Sequence, residues 1–253
     1  VEEVYVVDFA GRIQVFSLDG EYRREWRTPS IVNGRPGGIS ISPSGQVIVP
    51  DSHYQRILIY SPQGRLEREI VGTTEHGGLG PFAYISDVVQ SSDGCFFVAE
   101  FGDEARIRKL DSQGRHLTAF GTLGSGPGQL ARPRGLALGP AGEVVVADSC
   151  NHRLQIFAPD GRFLRSIGRA GQGPGEFSYP YKVAVAANGD LLVAEFGNHR
   201  VQRLTWAGQP LAQWGRVGRG PGCLAQPWGV AVDSAGRVYV ADTENHRIQR
   251  IRL

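Results

Sequence analysis

Apolar residues in this chain gather in short runs separated by glycine, proline, serine and aspartate, without the i, i+3, i+4 spacing of an amphipathic helix. The stretch RPRGLALGPAGEVVVADSCNHRLQIFAPDGRFLRSIGRAGQGPGEF, residues 132–177, shows the pattern most clearly. Its runs GLALG, EVVVAD, RLQIFA and RFLRSIG are rich in Val, Ile, Leu and Phe, are bounded by turn residues, and predict four short β-strands. EVVVAD and its later counterpart LLVAE are almost continuously apolar, which predicts a strand packed on both faces. RLQIF and RIQRI alternate apolar with polar residues, which predicts a strand nearer the solvent. Glycine recurs between the first and second runs at 45, 94, 142, 189 and 236, and between the third and fourth at 20, 64, 114, 161 and 208. Tight hairpins need a residue with positive φ, and glycine takes it without a steric penalty.

The four-run unit is copied along the chain. The acid that closes the second run falls at Asp8, Asp51, Glu100, Asp148, Glu195 and Asp242, in steps of 43, 49, 48, 47 and 47 residues. A period in the forties with strand-type runs points to propeller blades. One four-stranded sheet cannot bury both of its faces, so such units stack and share cores. The expectation is an all-β, six-bladed β-propeller forming a single domain over residues 1–253, with repeats near 1–34, 35–81, 82–130, 131–178, 179–225 and 226–253. The first unit lacks its innermost strand and the last its outermost, so the terminal blades are incomplete. Their remaining strands overlap rather than complement each other, and the expectation is a sequence trimmed at both ends.

Three copies carry a sharper signature: VADSCNHRLQIF (Val146–Phe157), VAEFGNHRVQRL (Val193–Leu204) and VADTENHRIQRI (Val240–Ile251). Apolar–Ala–acid, two variable residues, Asn-His-Arg, then apolar–Gln resembles the NHL repeat family, and the resemblance extends over essentially the whole chain. Earlier copies depart from it, with His-Tyr-Gln-Arg at 53–56, an extra residue in Asp-Glu-Ala-Arg at 103–106, and Phe-Ala-Gly-Arg at 9–12. The resemblance implies a β-propeller, commonly six-bladed, that serves as a binding platform for proteins, RNA or extracellular ligands. A smaller set of related propellers are enzymes, amidating lyases and lactonases among them.

A constellation present in successive blades is spread around a ring, whereas an active site is usually singular. Asp51, Glu100, Asp148, Glu195 and Asp242, with His152, His199, His246, Arg153, Arg200 and Arg247, are therefore expected to be framework residues. They would tie the second strand to the third and to a neighbouring blade, with arginine compensating a buried acid. The segments GTLGSGPG (121–128), GRAGQGPG (168–175) and GRVGRGPG (215–222) look like phosphate loops, but no helix follows and no Gly-Lys-Ser/Thr appears. They are expected to be blade-to-blade crossings.

Specificity is expected where the units differ. Two positions just before each innermost strand read Gly37–Gly38, Ser86–Asp87, Arg134–Gly135, Tyr181–Lys182 and Trp228–Gly229. Arg134, Tyr181, Lys182 and Trp228, with Ser86, Asp87, Phe101 and Phe196, form the candidate rim for a ligand on the loop face around the axial channel. Asp103 and Glu104 would add to it. Such a rim stacks on aromatic or sugar rings and pairs with anions, although Tyr181 and Trp228 would also serve to plug the channel. In the related amidating lyases, histidines at the first of these positions hold a catalytic zinc; here those positions are Gly37, Ser86, Arg134, Tyr181 and Trp228. Asp87, Glu100 and Asp103 are an alternative calcium or acid–base set. His76 and His116 are expected on a connection and a turn at the surface.

Composition sharpens little. With 27 basic and 25 acidic residues the net charge is +2, so no strong field favours a polyanion. Arg132, Arg134, Arg169, Lys182, Arg216 and Arg219 nonetheless share one expected face, which keeps RNA binding as an alternative. No run is long enough to span a membrane. Cys95, Cys150 and Cys223 show no CxxC spacing, and Cys95 is expected as a buried small hydrophobe. The resulting expectation is a non-catalytic, monomeric recognition or sensor propeller with no metal or other cofactor, for a protein, small-molecule or sugar ligand, and extracytoplasmic. The alternative is a lyase- or lactonase-type propeller enzyme with a metal in the channel.

Overall fold

A computed structural model describes residues 2–72, 80–102 and 104–253. His76 and Asp103 lie outside the described residues. The chain divides into two compact units, Val1–Ala119 and Phe120–Leu253. Its strands form six antiparallel blade sheets, the arrangement of a six-bladed β-propeller.

The first unit begins with a three-stranded sheet of Glu3–Val7, Arg12–Ser17 and Tyr22–Arg27. Two four-stranded sheets follow. One contains Ser40–Ile41, Val47–Asp51, Arg56–Tyr60 and Leu66–Val71; the other contains Tyr84–Gln90, Phe96–Phe101, Arg106–Leu110 and His116–Phe120. In the second unit the fourth blade is Pro133–Leu138, Val144–Asp148, Arg153–Phe157 and Phe163–Ile167. The fifth is Pro180–Val185, Leu191–Glu195, Arg200–Leu204 and Pro210–Trp214, and the sixth has only Pro227–Val232, Val238–Asp242 and Arg247–Ile251. The two three-stranded sheets are the ones in which the sequence lacks an inner and an outer run.

The hairpins follow the glycine register. Gly45, Gly94, Gly142, Gly189 and Gly236 have φ between 76° and 87°, and each donates its N–H to the carbonyl three residues back. An added side chain at these φ values is strained, so the chain turns where glycine stands.

Within each unit cores lie between adjacent blades, and the second strand of the second and of the fifth blade serves two of them. In the fifth blade Leu191 and Val193 pack with Ala147, Ile156 and Phe177 toward the fourth, whereas Leu192 and Ala194 pack with Val230, Val238 and Val240 toward the sixth. The two-residue period of a strand sends neighbours to opposite faces, and with apolar groups waiting on both sides no polar residue fits between them. Each such fully buried Val or Leu contributes about 1.5–3 kcal/mol. In the first unit Ile48 and Val98 share one core, and Ile13, Val47 and Val49 share another.

The third strand departs from expectation. In RLQIF the residues Leu154, Gln155, Ile156 and Phe157 are all buried, whereas in RIQRI the burial alternates. The difference comes from the fourth strand: Phe163–Ile167 covers RLQIF, and the sixth blade has no such cover. Cys95 is only half-buried, with its thiol pushed up first by burial, and Cys223 is the buried cysteine. All three are free thiols. His116 opens a strand rather than a turn, and burial, then Arg108, holds its imidazole below the ordinary value.

Candidate functional site

Five of the six repeated acids, Asp51, Glu100, Asp148, Glu195 and Asp242, have no exposed surface, and among the described residues they are the most buried charges. A carboxylate survives there only if its oxygens are satisfied, and in the second unit they are. Asp148 accepts from the Ala131 N–H (2.7 Å), Asn151 Nδ2 (2.9 Å), Arg153 Nε (2.8 Å) and Gln155 Nε2 (3.0 Å). Glu195 repeats this with Ser178, Asn198, Arg200 and Gln202, and Asp242 with Ala225, Asn245, Arg247 and Gln249. Burial pushes the Asp242 carboxyl up, but these four donors outweigh it and hold it below the usual range.

The donors' remaining hydrogens grip the incoming connector. Asn151 donates to the Gly124 carbonyl, and Arg153 to those of Gly126 and Gln129. Asn198 and Arg200 hold Gly171, Gln172, Gly173 and Glu176 in the same way. Asn245 and Arg247 hold Gly218, Gly220 and Cys223. The Gly-rich segments are thus crossings into the blade that clasps them, and their backbone is already engaged by protein. The glutamine of each signature, Gln155, Gln202 or Gln249, is a member of the clasp whose role the sequence did not reveal. A lone amide at a fixed place in an otherwise apolar strand was the signal available.

Where the sequence departs from the signature, the clasp changes. In the third blade Arg108, fully buried, stands at the glutamine's place; it and Arg106 both donate to Glu100 Oε2 at 2.8 Å, while Ala83 N–H serves Oε1. Glu100 is saturated by two guanidinium groups, so a calcium or acid–base role for it is not supported. In the second blade Tyr54 and Leu58 replace the asparagine and glutamine. Asp51 keeps Arg56 (2.8 Å) on one oxygen, and no donor reaches Oδ1. Burial pushes Asp51 up, against the pull of Arg56. The Tyr54 hydroxyl meets the connector instead, against Ser30 Oγ and accepting from the Asn33 N–H.

Of the candidate rim residues, Ser86, Asp87, Arg134, Tyr181, Lys182 and Trp228 lie inside the inner strands, not before them, whereas Phe101 ends a second strand and Phe196 follows one. Pairing of first and second strands shifts register between Pro133 and Gly135, Pro180 and Lys182, Pro227 and Gly229, and Ile85 and Asp87. Arg134, Tyr181, Trp228 and Ser86 are the extra residues of four β-bulges. A bulge breaks the in-out alternation and re-aims one side chain. In the second unit the result is one contiguous cluster. The Arg134 guanidinium sits 4.9 Å over the Tyr181 ring, Tyr181 stacks on Phe196 (4.5 Å, 18°), and Trp228 meets Tyr181 edge-on at 5.9 Å. Lys182 follows Tyr181 in the same strand, and Trp228 is 37% exposed. Such cation–π and aromatic contacts contribute about 0.5–1.5 kcal/mol each. Gly135 permits this geometry: a Cβ there would meet the Tyr181 carbonyl oxygen at 2.6 Å and Lys182 Cα at 2.8 Å.

The first-unit candidates are different. Ser86 and Asp87 are buried, and the Ser86 hydroxyl donates to the Ala99 carbonyl. Phe101 packs on Tyr84, which also meets the His53 ring. Among the described residues no group of three or more His, Cys, Asp or Glu is placed to hold a metal ion. No helix among them is long and apolar enough to cross a membrane.

Residues 130–157, 177–204 and 224–251 match the NHL repeat model, each spanning one clasp. Protein lin-41 of Caenorhabditis elegans is 34% identical over 123 residues, which is 44% of this chain and 10% of that protein, so the match spans about a tenth of the relative's length. Virginiamycin B lyase from Staphylococcus aureus superposes with a TM-score of 0.64 at 19% identity, covering 99% of this chain and 77% of that one. A gluconolactonase from Xanthomonas campestris superposes with a TM-score of 0.67 at 14% identity, covering 94% and 78%. At these identities the two enzymes share the fold.

Proposed function

Because this chain is a β-propeller built of NHL repeats, we propose that it is a non-catalytic recognition module whose second unit binds a ring-bearing anion at the Arg134–Tyr181–Phe196–Trp228 cluster. One observation carries the reading: consecutive bulges aim a guanidinium, a phenol and an indole into one partly exposed stack. The aromatic faces offer stacking to a planar or sugar ring, and Arg134 and Lys182 offer charge to a carboxylate or phosphate. The repeated acids and arginines of the second unit do not compete for this role, since they are engaged with one another and with the connectors.

Calorimetric titration with a nucleoside monophosphate and an oligogalacturonate, on wild type and on Trp228→Ala and Tyr181→Ala, tests the reading. Binding by wild type that weakens tenfold or more in both variants supports it. Equal binding by all three moves the site elsewhere. One zinc or calcium ion held tightly per chain after purification would favour the lyase or lactonase reading instead.

A second reading has its own observation. Arg132, Arg169, Arg216 and Arg219 are exposed on the connectors and strand entries of the same unit that carries Arg134 and Lys182. Cations beside stacked aromatics suit single-stranded nucleic acid.

A further inference from the structure

The histidines of the repeated signature stay out of the clasp. His152 and His199 both have left-handed backbone (φ 55° and 53°), at the place that Gly11 fills in the first blade and Gln55 in the second. Glycine takes that conformation freely and histidine takes it at some cost, so the turn alone does not ask for an imidazole. The ring reaches forward to the next blade. His152 Nδ1 accepts from the Tyr179 backbone N–H at 3.1 Å, with the two rings 4.5 Å apart. His199 Nδ1 accepts from the Gln226 backbone N–H at 3.0 Å. An imidazole nitrogen that accepts carries no proton, so both rings hold their hydrogen on Nε2.

The residues they grip are unusual. Tyr179 and Gln226 both have φ of 48°, and each precedes a proline, Pro180 or Pro227. A bulky residue in the left-handed region is strained, and a following proline narrows its choices further. Such conformations persist only where surrounding contacts over-determine them. Immediately after each proline comes the bulge residue, Tyr181 or Trp228.

We infer that His152 and His199 are positioning residues for the rim: each pins the strained pre-proline residue of the following blade and so sets the angle at which Tyr181 or Trp228 is presented. The functional meaning rests on the binding reading above, whereas the geometry is testable without any ligand. The framework motif of one blade thereby orients the recognition residue of the next.

Fluorine NMR tests this. Protein labelled with 5-fluorotryptophan has four resonances, from Trp26, Trp206, Trp214 and Trp228, assigned by single Trp→Phe changes. In His199→Ala the Trp228 resonance should shift and broaden, and the Gln226 amide should exchange at least tenfold faster. Those of Trp26 and Trp206 should hold. His199→Asn should restore both signals, because its side-chain oxygen stands where Nδ1 stood and asparagine tolerates left-handed backbone. An unmoved Trp228 resonance in His199→Ala, or equal displacement in His199→Asn, overturns the inference. Should His199→Ala fail to fold, scalar coupling across the N–H···N hydrogen bond between Gln226 N and His199 Nδ1 in wild type decides: present supports the pin, absent removes it. A protein that shows these signals yet binds neither titrant keeps the pin and loses the binding reading.

Discussion

Replacing Asp242 by asparagine tests the clasp by removing its charge and one of its acceptors. The carboxylate has no exposed surface and accepts from the Ala225 N–H, Asn245, Arg247 and Gln249 at 2.7–3.0 Å. In the variant one acceptor becomes an NH2 that faces donors, and Arg247 loses its counter-charge. Breaking a buried pair from one side costs about 3–5 kcal/mol. The Arg247 side chain is 34% exposed, and water relieves part of that loss, so the low end, about 3 kcal/mol, is expected. For a chain of this size that lowers Tm by about 6–12 °C. The pH dependence has a definite sign. The folded carboxyl lies below its ordinary value, so its stabilisation is present above the unfolded pKa and fades as pH falls through the folded one. Wild type and variant should therefore differ fully at pH 7, with the gap starting to close only below about pH 4 and closing as pH falls through the lowered folded pKa. Thermal unfolding followed by circular dichroism at pH 7 and in a series of buffers descending from pH 4 is the assay. A Tm loss under 2 °C at pH 7, or a gap that persists in acid, would refute the clasp argument.

Other outcomes follow from the same geometry. Asp51→Asn should cost at least 1 kcal/mol less than Asp242→Asn at pH 7 in parallel melts: burial raises Asp51, so its contribution is full below the unfolded pKa and lost as pH rises through the folded one. Gly135→Ala should destabilise by about 1–3 kcal/mol, since the clash is with the Tyr181 and Lys182 backbone; denaturant titration would measure it. Gln155→Leu removes an amide that serves Asp148, the Gln129 carbonyl and the Gly128 N–H. It should cost about 1–2 kcal/mol by the same titration, because the Gly128 N–H loses its acceptor, whereas Asp148 and the Gln129 carbonyl each lose one donor and keep others. If the second unit takes single-stranded nucleic acid, poly(U) affinity should fall with salt at a logarithmic slope of about −3, the value for some four phosphates; a slope near zero removes that reading.

Much of this molecule is written in one dimension. The six acids in register, the glycine in every hairpin and the apolar second strands specify six blades, because hydrophobic period and positive-φ demand are local properties of the chain. The recurrence of Asp148, Glu195 and Asp242 in register was legible too, whereas the donors that surround each carboxylate were not. Other features waited for the tertiary structure. The bulges that re-aim Arg134, Tyr181 and Trp228 depend on how one strand registers against the next, and no run of residues encodes that offset. The burial of RLQIF depends on a fourth strand lying over it. The forward reach of His152 to Tyr179 joins residues 27 apart, just ahead of strands in different sheets. Periodicity states what each blade is made of; packing of one blade on another decides which side chains are covered, which are held and which stay exposed.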